Sequence, residues 1–421
     1  MEQHLKHNAL LKLSLLVLLL IGHVANAMPL TLKQAERVAL SQSPEVKSLR
    51  AKTEALGQSA IAAGQLSDPK LMLGAMNVPV DTFNFSQEPM TQVQVGLMQA
   101  FPRGHSLHYK SLEKHDLSAA ESRKQQAMQL QVLQGVRLSW LNLYYWIHAK
   151  RIVLKQKKIF QHLVKITESM LANNKVQQKD VIRAQLELTE LDNQLLNINQ
   201  QIKTARATLG RWVGPVLAKE ASPKRLPSWL SPPKLLQFQH DLAQHPILKT
   251  DAALISSGHA GIKLAEQQYK PGFTVGVAYG FRQGRNMDGQ RRSDFLTAQV
   301  SMDLPLFTHN RQDRTLRASQ ENLLSNEENQ MSDYRQLLET LKTQYAVWRE
   351  QRRSAWLYRS QLIPEAKQYA EATMTAYQNT QTDFPTLARA YVRELNTELG
   401  GLKALVHQHI ARANLLYLQG K

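Results

Sequence analysis

Histidine pairs and methionines are the residues in this chain whose types and spacing suit chemistry. His105 and His108 stand three apart, His407 and His409 two apart. Imidazole pairs serve as metal ligands or as general acid and base. On a helix, residues two apart face different sides, so His407 and His409 do not converge. Met72, Met76, Met90 and Met98 would offer soft thioethers to copper. Their scatter through apolar runs reads instead as core or lipid-facing packing. No HExxH, GxSxG, phosphate-binding loop or dinucleotide fingerprint occurs. The chain has no cysteine. That excludes a thiol nucleophile, a disulfide framework, Cys-ligated zinc and lipid attachment through Cys. The reading is of no catalytic residue, no bound metal, no cofactor and no enzyme.

Polar chemistry gathers instead in two short turns, ANNKVQQKD (172–180) and YQNTQTDFP (377–385). Asn tolerates the left-handed conformation that ends a helix, which suits Asn174 and Asn379. Asp180 and Asp383 are placed to cap the helix that follows, and Pro385 pre-sets its first turn. Asn173, Asn174, Lys175, Gln178, Lys179, Asp180 and Arg183 form one candidate surface for closure or partner contact. Gln378, Asn379, Thr380, Thr382, Asp383 and Arg389 form its counterpart.

Those turns belong to a chain written twice. Pro44 and Pro246, and Pro69 and Pro271, are each 202 residues apart; Pro102 and Pro305 are 203 apart, Asn174 and Asn379 205 apart. Landmarks kept in one order predict two structural repeats of about 200 residues. Residues 28–210 would form the first, with short helices, strands at 70–78 and 91–101, and a helical hairpin over 107–210. Residues 234–421 would form the second, with strands at 272–282 and 294–304 and a hairpin over 311–418. The Pro-rich segment 211–233 reads as a linker outside the regular structure. Thr31 is a plausible N-cap for the first helix.

Three of the four strands alternate with period two. Phe273, Val275, Val277, Tyr279 and Phe281 share one face, with small or polar residues between them. Leu296, Ala298, Val300 and Met302 do the same, as do Val93, Val95 and Leu97. The first strand does not alternate cleanly. At 9–11 residues these runs have the length for crossing a bilayer at a tilt. Four strands cannot close a barrel, and open edges are not tolerated in lipid. Strands that cross a membrane therefore require several copies to share one barrel. Arg285, Arg291 and Arg292, in one hairpin loop, suit either lipopolysaccharide phosphates or plain solvation.

The helices carry a different period. Val181, Ala184, Leu188, Leu191, Leu195, Ile198, Ile202, Ala205 and Leu209 repeat at spacings of three and four. Ala388, Val392, Leu395, Leu399, Leu402, Val406, His409, Ala413 and Leu416 do likewise. Sustained heptads specify coiled-coil packing. A helical tract of roughly 65 residues would span roughly 100 Å, which suits a rod or tube.

The N-terminus reads as an export signal: Lys6 and Lys12, an apolar run Leu13–Ile21, and Ala25-Asn26-Ala27 for cleavage after residue 27. Net charge is +18 with 52 basic and 34 acidic residues. The charges are spread rather than clustered beside aromatics, and export removes the chain from DNA, so no nucleic acid is expected. A periplasmic structural coiled coil is the competing class; it would be soluble without detergent.

Together these features resemble the TolC family of outer-membrane efflux ducts. LTLKQAERVALSQSPEVKSLRAKTEALGQSAIAAGQLSDPKL looks like the family's N-terminal signature, and DVIRAQLEL (180–188) like its post-tip motif. PMTQVQVGLMQAFPRG (89–104) and LNLYYWIHAKRIVL (141–154) look like the CzcC/CusC-like subgroup paired with heavy-metal resistance-nodulation-division pumps. The tips depart from the family in having Asn where Gly is frequent. Many relatives are lipidated on an N-terminal Cys, which this chain lacks. The resemblance implies a mainly α fold with a membrane β-barrel part. Three chains would share a 12-stranded barrel in the outer-membrane lipid, on a periplasmic helical tube. It also implies a homotrimer, a periplasmic adaptor, an inner-membrane pump and passive conduction of cargo, heavy-metal ions in the sense of that subgroup, with multidrug efflux or secretion as the alternative.

Overall fold

The computed structural model describes residues 30–421. The predicted signal peptide, residues 1–27, lies outside the described residues. The elements run α1 (Leu32–Gln42), α2 (Pro44–Ala63), β1 (Lys70–Met76), β2 (Gln92–Phe101), α3 (Ser106–Ala172) and α4 (Gln178–Val213). A short α5 (Pro215–Glu220) follows, then α6 (Leu235–Asp241), α7 (Pro246–Gln267), β3 (Gly272–Arg282) and β4 (Phe295–Asp303). The chain closes with α8 (Gln312–Leu357), a π-helical turn at Tyr358–Leu362, α9 (Ile363–Gln378) and α10 (Phe384–Leu418). The order helix–helix–strand–strand–long helix–helix thus occurs twice. Thr31 opens α1 through a capping box, with Gln34 N–H donating to Thr31 Oγ1 at 3.3 Å and Thr31 N–H to Gln34 Oε1 at 2.9 Å.

The chain folds as two compact units, and each takes segments from both repeats. One unit is built from 45–128 and 243–337, the other from the described residues up to 44, 129–242 and 338–421.

The first unit holds the sheet, antiparallel in the order β1-β2-β3-β4. Its register sorts the side chains. Leu73 pairs with Val95, Val95 with Tyr279 and Tyr279 with Leu296. Directly paired residues share a face, so β1 contributes Leu71, Leu73 and Ala75 to the apolar face, an assignment its sequence alone left open. That apolar face is the exposed one. Along β2, Gln92, Gln94 and Gly96 are buried while Val93, Val95 and Leu97 are exposed. Along β3, Gly276, Ala278 and Gly280 are covered while Val277 is 50% exposed and Phe281 49% exposed. Small residues permit this. A Cβ on Gly96 would lie 2.8 Å from the Ala278 Cβ. Of the two placements the sequence left open for the methionines, core or lipid-facing, the register puts Met72, Met76 and Met98 off the outward apolar face, on the small and polar one. β1 and β4 are free edges within the chain.

In the hairpin loops Arg292 is buried, and its Nη1 donates to the carbonyls of Glu88 at 2.9 Å and Ser86 at 3.2 Å. Arg285 donates to the Gly289 carbonyl at 2.8 Å, and Arg291 faces Asp294 at 3.8 Å. Arg292 therefore fastens one loop to the other and is displayed neither for phosphate nor for solvent, the two alternatives the sequence left open.

The second unit is helical. The α4 heptad appears with one position looser than written: Val181, Ala184, Leu191, Leu195, Ile198, Ile202, Ala205 and Leu209 are buried, and Leu188 is half-buried. α10 departs from its single seam: Val392, Leu399, Leu402 and His409 are only half-buried, while Leu387, Ala390, Tyr391, Glu394 and Ala411 are buried as well. The reason is that α10 meets more than one neighbour; Gln156 of α3 donates to the Tyr391 carbonyl at 3.0 Å, and Tyr358 packs on Gly400 and Gly401. The first arm of the predicted 311–418 hairpin is interrupted by the π turn at Tyr358–Leu362, just before Pro364. Proline lacks the N–H and clashes with the carbonyl four residues earlier, and a wider turn relieves both. The 211–233 segment is not loose. Its first part is the end of α4 and α5, Leu226 and Trp229 pack on the core of Leu141, Tyr144, Val406 and Ala413, and Arg412 Nε donates to the Leu230 carbonyl at 2.6 Å. Prolines remove donors but leave carbonyls, which a buried arginine can satisfy.

Candidate functional site

Both polar turns lie in the helical unit, and they meet. α3 ends through Asn174, whose φ is +57°; its N–H donates to the Leu171 carbonyl and that of Lys175 to the Met170 carbonyl, each at 2.9 Å. α9 ends in the same pattern. Thr380 N–H donates to Tyr377 at 3.0 Å and Gln381 N–H to Ala376 at 2.8 Å. This is the Schellman arrangement, which consumes the last carbonyls of a helix. Its left-handed residue in the second turn is Thr380, φ +59°, and not the predicted Asn379, whose φ is −87°. The two turns therefore correspond at a spacing of 206, one more than the asparagines suggested.

The helix starts correspond in the same way. Asp383 is the N-cap of α10, and its Oδ1 accepts from Thr386 N–H at 3.0 Å. In α4 the capping position belongs to Gln177, while Asp180, predicted as the cap, sits in the first turn and accepts from Gln177 N–H at 3.1 Å. A carboxylate near a helix start is favourable at either position. The hydrogen bonds from Thr386 hold the Asp383 carboxyl below the usual carboxylate range.

Between the two turns is an open cavity of about 500 Å³. Lys175, Lys179, Asp180, Thr380, Thr382 and Asp383, from the predicted set, line it together with Met170, Val176, Gln177 and Gln381. Asn173, Asn174, Gln178, Arg183, Gln378, Asn379 and Arg389 are not among its lining residues. Asn173 Nδ2 donates to the Ser169 carbonyl at 2.7 Å, and Arg389 Nη2 to Thr386 Oγ1 at 3.0 Å.

Sequence reasoning missed the floor of this cavity. Tyr377 and Phe384 are almost fully buried, with ring centroids 6.0 Å apart and edge to face. The Tyr377 hydroxyl lies 3.3 Å from Thr167 Oγ1. Below them Phe160 meets Tyr391 edge to face at 6.3 Å. Edge-to-face pairs add directional attraction to burial, so the polar turns stand on a packed aromatic base. Burial raises the pKa of Tyr377 and of Tyr391. The aromatic flanks of both turns were visible in sequence as Tyr377 and Phe384, one on each side of the second loop. Glu394, also buried in α10, is pushed up by desolvation against the pull of Lys155, whose Nζ lies 3.7 Å away.

The histidines do not assemble. His409 Nδ1 lies 2.9 Å from the Leu405 carbonyl and its ring tilts on Trp229, while the His105 backbone N–H donates to Gln267 Oε1 at 3.1 Å. Among the described residues, no group of three or more His, Asp or Glu stands close enough to hold a metal ion. No helix among them is long and apolar enough to cross a membrane.

A mostly helical chain with one small antiparallel sheet and two long hairpins is the fold of the TolC-type outer-membrane channels. Solved structures show the likeness directly. The outer membrane protein VceC of Vibrio cholerae matches with TM-score 0.77 at 16% identity, over 92% of this chain and 96% of that one. A membrane protein from Pseudomonas aeruginosa matches with TM-score 0.78 at 14% identity, over 92% and 93%. CusC, described for its transmembrane channel formation, matches with TM-score 0.70 at 12% identity, over 92% and 91%. No family model and no curated protein sequence matches the chain. CusC is thus no nearer in fold than VceC, and the likeness does not single out the heavy-metal subgroup.

Proposed function

We propose that this protein is the outer-membrane exit duct of a tripartite efflux system. Three copies close their sheets into one 12-stranded barrel, and the helical hairpins form a periplasmic conduit. The observation that carries this reading is the inverted sheet: an exposed apolar face, a small and polar face covered along the two central strands, and two free edges. A sheet in water buries its apolar face and guards its edges. Lipid reverses the first requirement and forbids open edges. The fold shared with outer-membrane channels supports the same reading.

The duct conducts passively, driven by an inner-membrane resistance-nodulation-division pump through a periplasmic adaptor. The paired turns at 172–180 and 377–385 are the surface for closure or adaptor contact. The cargo class that the sequence resemblance favours is heavy-metal ions, which pass through as substrate. Deleting the gene tests this. Sensitivity to copper, zinc, cobalt or cadmium alone supports metal export; sensitivity to hydrophobic drugs and detergents supports a multidrug duct; unchanged tolerance to both, with the protein soluble without detergent, overturns the duct. Charge reversal at Asp180 or Arg183 should change leak conductance in planar bilayers or adaptor binding. No change in either removes those residues from the gate.

A further inference from the structure

We infer the register in which one copy's β4 pairs with the next copy's β1, and with it a contact at the rim of the sheet; this rests on the proposed closing of the sheet between copies. The chain contains its own template. β2 and β3 belong to different repeats, so their pairing is the internal counterpart of a β4–β1 pairing between copies. Pro102 and Pro305 each follow a repeat's second strand, which makes Ala100 equivalent to Asp303 and Met98 to Ser301. Met98 pairs with Lys70 and Ser301 with Thr274, so hairpin pairing makes Lys70 equivalent to Thr274, two residues beyond where the Pro69–Pro271 landmark would put it. Within the chain, Ala100 pairs with Thr274. Carried to the junction between copies, Asp303 of one copy stands opposite Lys70 of the next.

One feature singles out that register, and two broader ones are compatible with it. Opposite charges face each other, and both side chains are free to meet: Asp303 is 74% exposed on its side chain, with a distant Arg103 at 3.7 Å as its intrachain partner. Cross-strand pairs of opposite charge are favourable, like charges unfavourable. The same register places Met302 opposite Leu71, Val300 opposite Leu73 and Ala298 opposite Ala75, so both edge strands put their apolar residues on one face. A shift by one residue would break this everywhere. Beyond the strands, Phe307 after β4 and Leu66 before β1 lie at the same end of the sheet. Leu306 and Phe307 are 73% and 88% exposed, and Ile61 and Leu66, at and after the end of α2, are 62% and 45% exposed. The internal counterpart of this rim is already closed: after β2, Arg103 Nη1 donates to the Gln268 carbonyl beyond α7 at 2.8 Å. Where the chain closes on itself the rim is polar and satisfied. Where it awaits a second copy, the rim is apolar and open.

The absence of native cysteine makes a clean test. Full-length protein is extracted in neutral detergent, its native mass measured, and paired cysteines oxidised. Leu73→Cys with Val300→Cys should give a covalent ladder up to the trimer, about ten-fold more than Leu71→Cys with Val300→Cys, because a disulfide needs directly opposed Cβ atoms. Lys70→Asp or Asp303→Lys alone should lower the temperature at which the oligomer dissociates, and the double reversal should restore it. A native trimer that cross-links better through the shifted pair overturns the register and leaves the shared barrel standing. A monomer that cross-links through neither pair overturns the shared barrel as well.

Discussion

Asp251 shows how one side chain carries a pH dependence. It is buried on α7, its Oδ2 has no hydrogen-bond partner, and burial with the nearby Asp333 charge raises its pKa to about 6. A carboxyl whose folded pKa lies above its unfolded value favours the folded state when protonated. Its contribution is fully present below the unfolded pKa and is lost as pH rises through about 6. Asp251→Asn should therefore stabilise the protein at pH 7.5 by on the order of 1–3 kcal/mol and flatten the stability profile between pH 4 and 6. Thermal unfolding in neutral detergent across that range checks both. Equal destabilisation by Asn at every pH would mean that the carboxylate is needed as an anion. The left-handed Thr380 belongs to the same scale. Its neighbour Asn379 is the more permissive residue, yet the hydrogen-bonding pattern of the turn selects Thr380.

At the scale of elements, close helix packing depends on missing side chains. Gly135 sits in the middle of α3, where glycine costs about 1 kcal/mol of helix propensity relative to alanine. A Cβ there would lie 2.3 Å from the Trp212 ring of α4. Gly135→Ala should thus destabilise by about 1–3 kcal/mol despite its better propensity. Trp212→Phe in the same background should recover part of that loss, and thermal unfolding of the single and double variants measures the coupling. Heptads were legible as letters in α4 because a single seam with period 3.5 leaves one stripe. In α10 they were incompletely legible, since two neighbours demand two stripes and the added positions Ala390, Tyr391 and Glu394 carry no period of their own. The capping residue of α4 was misassigned for a related reason. Asp180 and Gln177 can each serve the same helix start, and only backbone geometry distinguishes N-cap from first turn.

For the whole molecule, the proposed barrel predicts which face of the sheet tolerates charge. Val277→Arg, on the exposed apolar face, should cost about 2–4 kcal/mol in the assembled state near the bilayer midplane. Gln299→Lys, one strand away on the opposite face, should assemble normally and alter ion selectivity. The yield of heat-resistant oligomer in outer-membrane fractions, followed by single-channel recording, separates the two. Equal yields would place both faces in water and remove the barrel.

The sequence by itself determined the element order, the strand faces of three strands, the α4 seam and the two polar turns. Each of these is a local pattern, a period or a terminator, written in consecutive residues. Tertiary structure decided which of those patterns meet. It placed Leu71 and Leu73 on the apolar face through hydrogen-bond register, because β1 has no alternation to read. It joined the turns over the Tyr377–Phe384 pair, although the two loops are some two hundred residues apart in sequence. It also showed that the apolar face of the sheet is the exposed one. Alternation with period two names two faces; only the surroundings of the folded sheet say which of them is turned outward.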